Sequence, residues 1–296
     1  MESSSAIKGT AGGDSTSDLR RPARALIGWM APEDGALWLA GRQVGHPERE
    51  EFVRRTVRAR NVVEARTLGV DQSDIFRPVP TSINEYVSKL EQNPPSAPLF
   101  KEGFRVALVD LERVCAIQPH VLTESAVERL QGVDVSSLES VASVTLPIPG
   151  PERMPAQFDS SKNAWIFSSR NPNLRIAGNF SGEVQPGVPG FGFVVSISNS
   201  YVQVAGLRGR YFLRDGYHRS FGLLAAGARW VPCLVREFRS FEELALPAGL
   251  LPQDAFLGER PALLTDYFHE DVSAAIEVGA TNRMIVIQGL EFSTLS

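Results

Sequence analysis

The chain has 296 residues, of which 43% are hydrophobic and 22% charged; this composition is typical of a globular protein and excludes a wholly disordered chain. The formal net charge of −4 disfavours nucleic acid as the main partner, although a local basic patch would still permit that contact. Two cysteines and four histidines match no zinc-site spacing, and no apolar run approaches the roughly 18 residues of a membrane span. We therefore predict a cytoplasmic globular protein without a membrane partner.

The first third of the chain is predicted to be a disordered tail followed by a helical extension. Residues 1–18 are rich in Ser, Gly and Thr, which is typical of disorder, and residues 19–100 form the extension. Within it, residues 47–68 carry glutamates near the start and arginines toward the end, an order that the helix dipole favours. The arginines could bind an anion, but we expect a solvent-exposed face paired with the glutamates. The apolar cluster at 29–39 could be a short hairpin or a docking segment.

In the middle of the chain, a segment of the core is predicted first and an insertion into the core follows it. Residues 104–111 form an apolar run typical of a strand, and residues 123–130 have a helical pattern. Prolines and glycines then interrupt the stretch 131–190, which contains short strand candidates such as Ala164–Phe167. This pattern favours a loop-rich β insertion.

The last third has the clearest pattern, with alternating strands and one helix. Strands are predicted at 191–197, 202–205, 211–214 and 231–235, and a helix at 217–226 that ends at Gly227. Pro232 favours the start of the last strand or an edge position. We interpret the strand, turn, helix and strand of 210–236 as a compact βαβ-like unit.

These elements predict the α+β fold class. The core is expected over residues 101–238, with the insertion at about 131–190, and residues 239–296 are expected to form a C-terminal α/β appendage. Because the patterns of the first and last regions are weak, their roles and the oligomeric state stay open.

The turn between the strand at 211–214 and the following helix is the candidate site. Gly216 permits close approach of a ligand to the backbone, and the free amides at the start of a helix favour an anion. Arg219 could hold a phosphate with two parallel hydrogen bonds, and His218 could donate a hydrogen bond or move a proton near neutral pH. Asp215 could cap the helix, orient His218 or hold a metal ion such as Mg²⁺.

Neighbouring residues complete the candidate set. Tyr217 could stack on a base or simply pack in the core, and Ser220 lies in the same first helical turn. Gln118 and His120 could reach the turn from a neighbouring strand end, although His120 could equally be a polar loop residue. The candidate catalytic residues are therefore Asp215 and His218, and the candidate cofactor-binding residues are Gly216, Tyr217, His218, Arg219 and Ser220.

The segment 191–236 resembles the core of the ParB/sulfiredoxin superfamily. The resemblance rests on Gly216, His218 and Arg219 in the turn, on Gly227 at the helix end and on the Val231-Pro232 strand. More weakly, the stretch from Val109-Asp110-Leu111 to Gln118-Pro119 resembles the opening strand and Gln-Pro turn of that superfamily. The resemblance implies a ParB/sulfiredoxin-like core that holds a nucleotide or another phosphate-bearing small molecule on the backbone of 216–219.

The resemblance implies several activities and leaves the choice open. Members hydrolyse nucleotides, repair sulfinic acids or phosphorylate free serine, so a nucleotide-dependent phosphotransferase or hydrolase is expected, with ATP, ADP and CTP not distinguished and Mg²⁺ as a candidate cofactor. Tyr217 stands where the repair reaction needs a cysteine, and residues 237–296 contain no convincing helix-turn-helix module. The Asp-Gly-x-His-Arg form is closer to the serine-kinase-like branch. The alternative is a non-enzymatic nucleotide sensor or a nucleic-acid-associated module.

Overall fold

The computed structural model describes residues 20–43, 45–148, 156–169, 174–197, 200–279 and 283–290. Both helices and strands are present, which confirms the predicted α+β class. The predicted tail at residues 1–18 lies outside the described residues.

The elements are numbered in chain order. The strands are β1 (Arg20–Ala25), β2 (Phe76–Arg77), β3 (Arg105–Asp110), β4 (His120–Leu122), β5 (Ala156–Asp159), β6 (Ala164–Ser169), β7 (Leu174–Gln185), β8 (Val188–Ile197), β9 (Gln203–Leu207), β10 (Arg210–Asp215), β11 (Trp230–Phe238), β12 (Ala274–Gly279) and β13 (Arg283–Gln288). The α-helices are α1 (Pro32–Leu39), α2 (Arg49–Glu64), α3 (Asn84–Gln92), α4 (Ala97–Lys101), α5 (Thr123–Arg129), α6 (Leu138–Thr145), α7 (Tyr217–Ala225) and α8 (Asp254–Leu257).

The central sheet has five strands in the order β10-β9-β11-β3-β2. β11 lies in the middle, antiparallel to β3 and parallel to β9, and its residues 231–235 are buried as expected for an apolar central strand. Pro232 lies near the start of β11, so of the two predicted alternatives the strand start agrees with the structure and the edge position does not. The proline is tolerated because pairing with β9 begins only at Leu234, so Pro232 faces β3 alone and no ladder bond with β9 is lost at that point.

The structure corrects the predicted βαβ-like unit. β10 and β11, the two strands joined by α7, are not neighbours, because β9 lies between them. β10 is antiparallel to β9 whereas β11 is parallel to it, so β10 and β11 run in opposite directions. The parallel pair is therefore β9 with β11, and its connection contains both β10 and α7.

A second sheet joins the two ends of the described chain to its middle. Its order is β12-β1-β4, and β1 pairs antiparallel with both neighbours. One continuous hydrophobic core contains Ala25 of β1, Val109 of β3, Leu234 of β11 and Ile276 of β12. The predicted helical extension, core and C-terminal appendage thus share a single core, because burying the apolar face of β1 requires residues from all three regions.

The region 131–190 is partly β-structured, as predicted, but it also contains a helix that the sequence pattern did not indicate. That helix is α6, whose Ser137 cap accepts a hydrogen bond from the amide of Ser140 at 3.3 Å. β5 and β6 form a sheet with β13, and β7 pairs with β8 alone. The predicted strand at 191–197 belongs to β8, so it lies in this two-stranded ribbon and not in the central sheet.

The N-terminal region contains helices, as predicted, but it also contributes the strands β1 and β2. The apolar cluster at 29–39 forms a short 3₁₀ turn and α1 rather than a hairpin, and α1 packs closely on α2: a Cβ at Gly35 would lie 2.5 Å from Thr56 Cγ2. Two arginines of α2 pair with a glutamate as expected, since Glu51 accepts from Arg54 at 2.9 Å and from Arg58 at 2.7 Å, whereas Arg60 donates to the carbonyl of Met30 at 2.9 Å. Among the described residues, no helix is long and apolar enough to span a membrane.

Candidate functional site

Gly216 shapes the candidate turn. Its φ is +94°, a left-handed conformation that side chains rarely adopt, and a Cβ there would lie 2.8 Å from Val202 Cγ2 and 2.9 Å from Val202 Cα. Both observations require glycine at this position. The turn consequently holds the end of β10 and the start of α7 directly against the beginning of β9.

The first turn of α7 leaves its amides without acceptors. The amide of Gly216 donates to Asp215 Oδ1 at 2.6 Å, whereas the N-cap position has no side chain that could accept from the helix. Within the described parts of the chain, the amides of Tyr217, His218 and Arg219 have no hydrogen-bond acceptor. The nine-residue helix therefore presents free donors and the positive end of its dipole at this turn.

Tyr217 is a core residue. Its side chain is 2% exposed, and its hydroxyl accepts from the amides of Ile117 at 2.7 Å and Gln118 at 3.3 Å while it donates to the carbonyl of Leu213 at 2.7 Å. The packing alternative therefore holds for the Tyr217 ring, which is not free to stack on a base. The phenol fixes the end of β10 against the 115–118 segment, and the backbone amide is the group of Tyr217 that faces the turn.

Arg219 is also committed to the fold. It is 5% exposed, and Nη1 donates to the carbonyls of Val144 at 3.0 Å and Ser200 at 2.7 Å, while Nη2 donates to Ser200 Oγ at 2.6 Å. Three of its five N–H groups are thus used, which corrects the prediction that Arg219 holds a phosphate with two parallel bonds. Burial lowers the pKa of Arg219 to about 10, so the group stays charged at neutral pH and adds positive potential to the turn.

His218 and His120 lie together, as the sequence suggested for a neighbouring strand end. Burial, followed by the charge of Arg129 and then that of His120, lowers the pKa of His218 to about 4. Burial and the charge of Arg42 lower the pKa of His120 to about 4 as well. Neither imidazole makes a side-chain hydrogen bond within the described ranges, and His120 Nδ1 is buried without a partner. At neutral pH the turn therefore carries two neutral imidazoles with unused ring nitrogens.

Two arginines near His218 were not expected from the sequence. Arg21 of β1 is paired with Glu124 and Glu128 at 3.3 Å each. Arg129, at the exposed end of α5, forms no ion pair with any residue that the structure describes, yet its charge acts on both His218 and Asp215. Local patterns could not identify Arg129, because only the packing of α5 against α7 brings it to the turn.

Asp215 is a half-buried carboxylate beside these cations. Burial raises its pKa above the ordinary value, and the opposing effects of Arg219, of the Gly216 amide and of Arg129 are smaller. Across the described ranges there is no group of three or more His, Cys, Asp or Glu side chains that could hold a metal ion. Asp215 could contribute a single carboxylate ligand to a metal that a bound phosphate also coordinates.

The two remaining candidates, Ser220 and Gln118, contribute little to the site. Ser220 is fully buried, and its Oγ has no hydrogen-bond partner among the residues described, so its predicted cofactor contact is corrected because the hydroxyl is not accessible. Gln118 acts through its backbone, whose carbonyl accepts from Tyr267 at 2.7 Å. Four cavities of about 300 to 680 Å³ are lined by other residues.

The structure thus brings together the turn amides, Asp215, His218, His120 and Arg129. The side chains of Tyr217, Arg219 and Ser220 lie in the interior. The arrangement can attract an anion, donate hydrogen bonds to it and place an imidazole against it. Comparison of the chain with protein-family models, with curated proteins and with solved structures gave no match.

Proposed function

We propose that the start of α7 binds the phosphate group of a small molecule, with a nucleotide as the expected ligand class, on a ParB/sulfiredoxin-like core. The observation that carries the proposal is the convergence of the unsatisfied amides of α7 with two imidazoles that lack hydrogen-bond partners in the described chain. Free donors of this kind are normally satisfied by water or by a ligand.

The charges around the turn support an anionic ligand. Arg129 has no ion-pair partner among described residues, Arg219 stays protonated at neutral pH, and both add to the positive end of the α7 dipole. Asp215 is the carboxylate of the turn itself, and burial raises its pKa above the ordinary value. In this proposal Arg129 donates the charged hydrogen bond to the phosphate that the sequence analysis expected from Arg219.

The expected chemistry is phosphoryl transfer or nucleotide hydrolysis. His218 is neutral at pH 7, so one ring nitrogen can accept a proton from a water or hydroxyl nucleophile while the other donates to the phosphate. Asp215 lies beside the same turn, where its carboxylate could ligate Mg²⁺ that neutralises charge on the transferred group. Without such a metal, the same residues support a nucleotide sensor.

Titration calorimetry with ATP, ADP, CTP and inorganic phosphate, each with and without Mg²⁺, tests binding. We expect at least one phosphate ligand to bind, and we expect His218→Gln to weaken that binding by about tenfold, the worth of one good hydrogen bond. His269→Gln is the matched control, because His269 is exposed and far from the turn in sequence. If all ligands fail to bind, or if both variants weaken binding equally, the proposal is wrong.

Turnover is tested separately, by phosphate release and by product analysis with free serine and other hydroxyl acceptors. We expect Asp215→Asn to abolish Mg²⁺-dependent turnover and to retain metal-free binding. Binding without turnover under any metal condition would favour the sensor.

A further inference from the structure

The ribbon formed by β7 and β8 exposes apolar side chains on both faces. Phe180, Val184, Phe191, Phe193 and Val194 are each between 45% and 63% exposed. Phe191 and Phe193 form an edge-to-face pair with ring centroids 5.3 Å apart. The hydrophobic core formed by the described residues includes no residue of the ribbon, so packing on that core does not explain the apolar composition of the ribbon.

The apolar surface of the ribbon is divided between its two faces. With about 200 Å² for a fully exposed phenylalanine, the five side chains expose on the order of 500 Å² in total. Ile176 and Val188, which are 49% and 46% exposed, add to this surface. A strand that pairs with β8 would cover part of the apolar surface on both faces at once.

The unpaired edge of the ribbon is a second reason to expect a partner. β8 runs for ten residues without a charged side chain, and its outer edge has no strand neighbour in the described structure. β7 instead contacts β13. A long, uncharged edge strand is a template for pairing with another strand, and natural proteins normally protect such an edge.

The chemistry of the ribbon favours a second copy of the same chain as the partner. Its only charges are Arg175 and Glu183, so it offers no basic surface for nucleic acid and no net charge that would repel an identical ribbon. A two-fold axis perpendicular to the strand places β8 antiparallel to its own copy, which is a geometry that a β ladder accepts. The same axis would place the Phe191 and Phe193 rings beside their counterparts.

We propose that the protein forms a dimer in which β8 pairs antiparallel with β8 of a second copy, so that the aromatic side chains of the two strands lie side by side. The inference does not depend on the proposed phosphate site, because the ribbon contributes no residue to the α7 turn.

Sedimentation velocity of the full chain over about a hundredfold range of concentration tests the dimer. We expect a dimer whose dissociation constant rises at least about tenfold in Phe191→Glu and stays unchanged in Leu68→Glu, a control at a 61% exposed leucine outside the ribbon. Circular dichroism checks that both variants are folded. A wild-type monomer throughout the range, or a dimer that Phe191→Glu leaves intact, overturns the proposal.

A cross-linking experiment locates the contact. Both native cysteines are buried, so Val194→Cys supplies one accessible thiol on β8. We expect a short bis-maleimide to join two Val194→Cys chains and not two Leu68→Cys chains. Equal cross-linking at both positions contradicts the β8 contact, and monomeric protein that floats with phosphatidylcholine vesicles would instead assign the ribbon to a lipid surface.

Discussion

Arg219 holds Ser200 by two hydrogen bonds, one to its carbonyl at 2.7 Å and one to its hydroxyl at 2.6 Å. Ser200 lies just before β9, and the same guanidinium also donates to the carbonyl of Val144 at the end of α6. The arginine of the predicted phosphate motif therefore ties three segments of the chain together beneath the turn, and its role is to position the site.

We predict that Arg219→Ala mainly destabilises the fold. The change leaves two partly buried carbonyls without their charged donor, which costs about 1–3 kcal/mol of unfolding free energy. Urea unfolding measures it, with Arg239→Ala as the control because Arg239 is exposed. A stability equal to that of the wild type, with ligand affinity alone reduced, would restore the first interpretation of Arg219 as a ligand contact.

Gly216→Ala is expected to destabilise the protein more than Gly227→Ala. Both glycines have positive φ, at +94° and +84°, so both changes carry the same backbone strain of about 1 kcal/mol. Only a Cβ at Gly216 meets the backbone of Val202, whereas nothing lies within 4 Å of one at Gly227. We expect a difference of about 1–3 kcal/mol in unfolding free energy, and equal losses would show that strain alone matters.

The pH dependence of stability should reveal the lowered pKa of His218. Its pKa is about 4 in the folded protein because of burial and the charge of Arg129, and near 6.5 in an unfolded chain. Since the unfolded state binds the proton first, the stabilising contribution of the neutral imidazole is full above pH 6.5 and is lost as the pH falls toward 4.

Between pH 7.5 and pH 5 the wild type should lose roughly 2 kcal/mol more unfolding free energy than His218→Gln. Urea unfolding at the two pH values provides the comparison, and His269→Gln should keep the wild-type dependence. Parallel losses in wild type and His218→Gln would mean that the imidazole is not held neutral by its surroundings.

Arg129→Ala should weaken phosphate binding and leave the fold intact. Its side chain is exposed and forms no ion pair within the described chain, so its removal should change the unfolding free energy by less than about 0.5 kcal/mol. The lost charged hydrogen bond should weaken binding by about 1.5–3 kcal/mol in calorimetry. Arg24→Ala removes a cation from the adjacent β1 and serves as the control; an equal effect there would indicate only nonspecific attraction.

Local sequence was sufficient for elements whose stability depends on near neighbours. The strands at β3, β9, β10 and β11 and the helices α2, α5 and α7 lie where apolar patterns and capping signals place them. Helix α6 was missed because its short apolar face packs against segments far away in the chain, chiefly β11. Pro232 lies near the start of β11, one of the two positions predicted for it, but only the strand pairing shows that β11 is a central strand.

The sequence by itself determined the α+β class, the glycine turn at Gly216 and the helix that follows it, since these depend on backbone conformation and on residues close in the chain. Only the tertiary structure decided which side chains of that turn face outward. It turned Tyr217 and Arg219 toward carbonyls and amides of distant segments and brought His120 and Arg129 to His218. The physical reason is that burial, and therefore the availability of a donor or charge, depends on contacts between residues far apart in the chain.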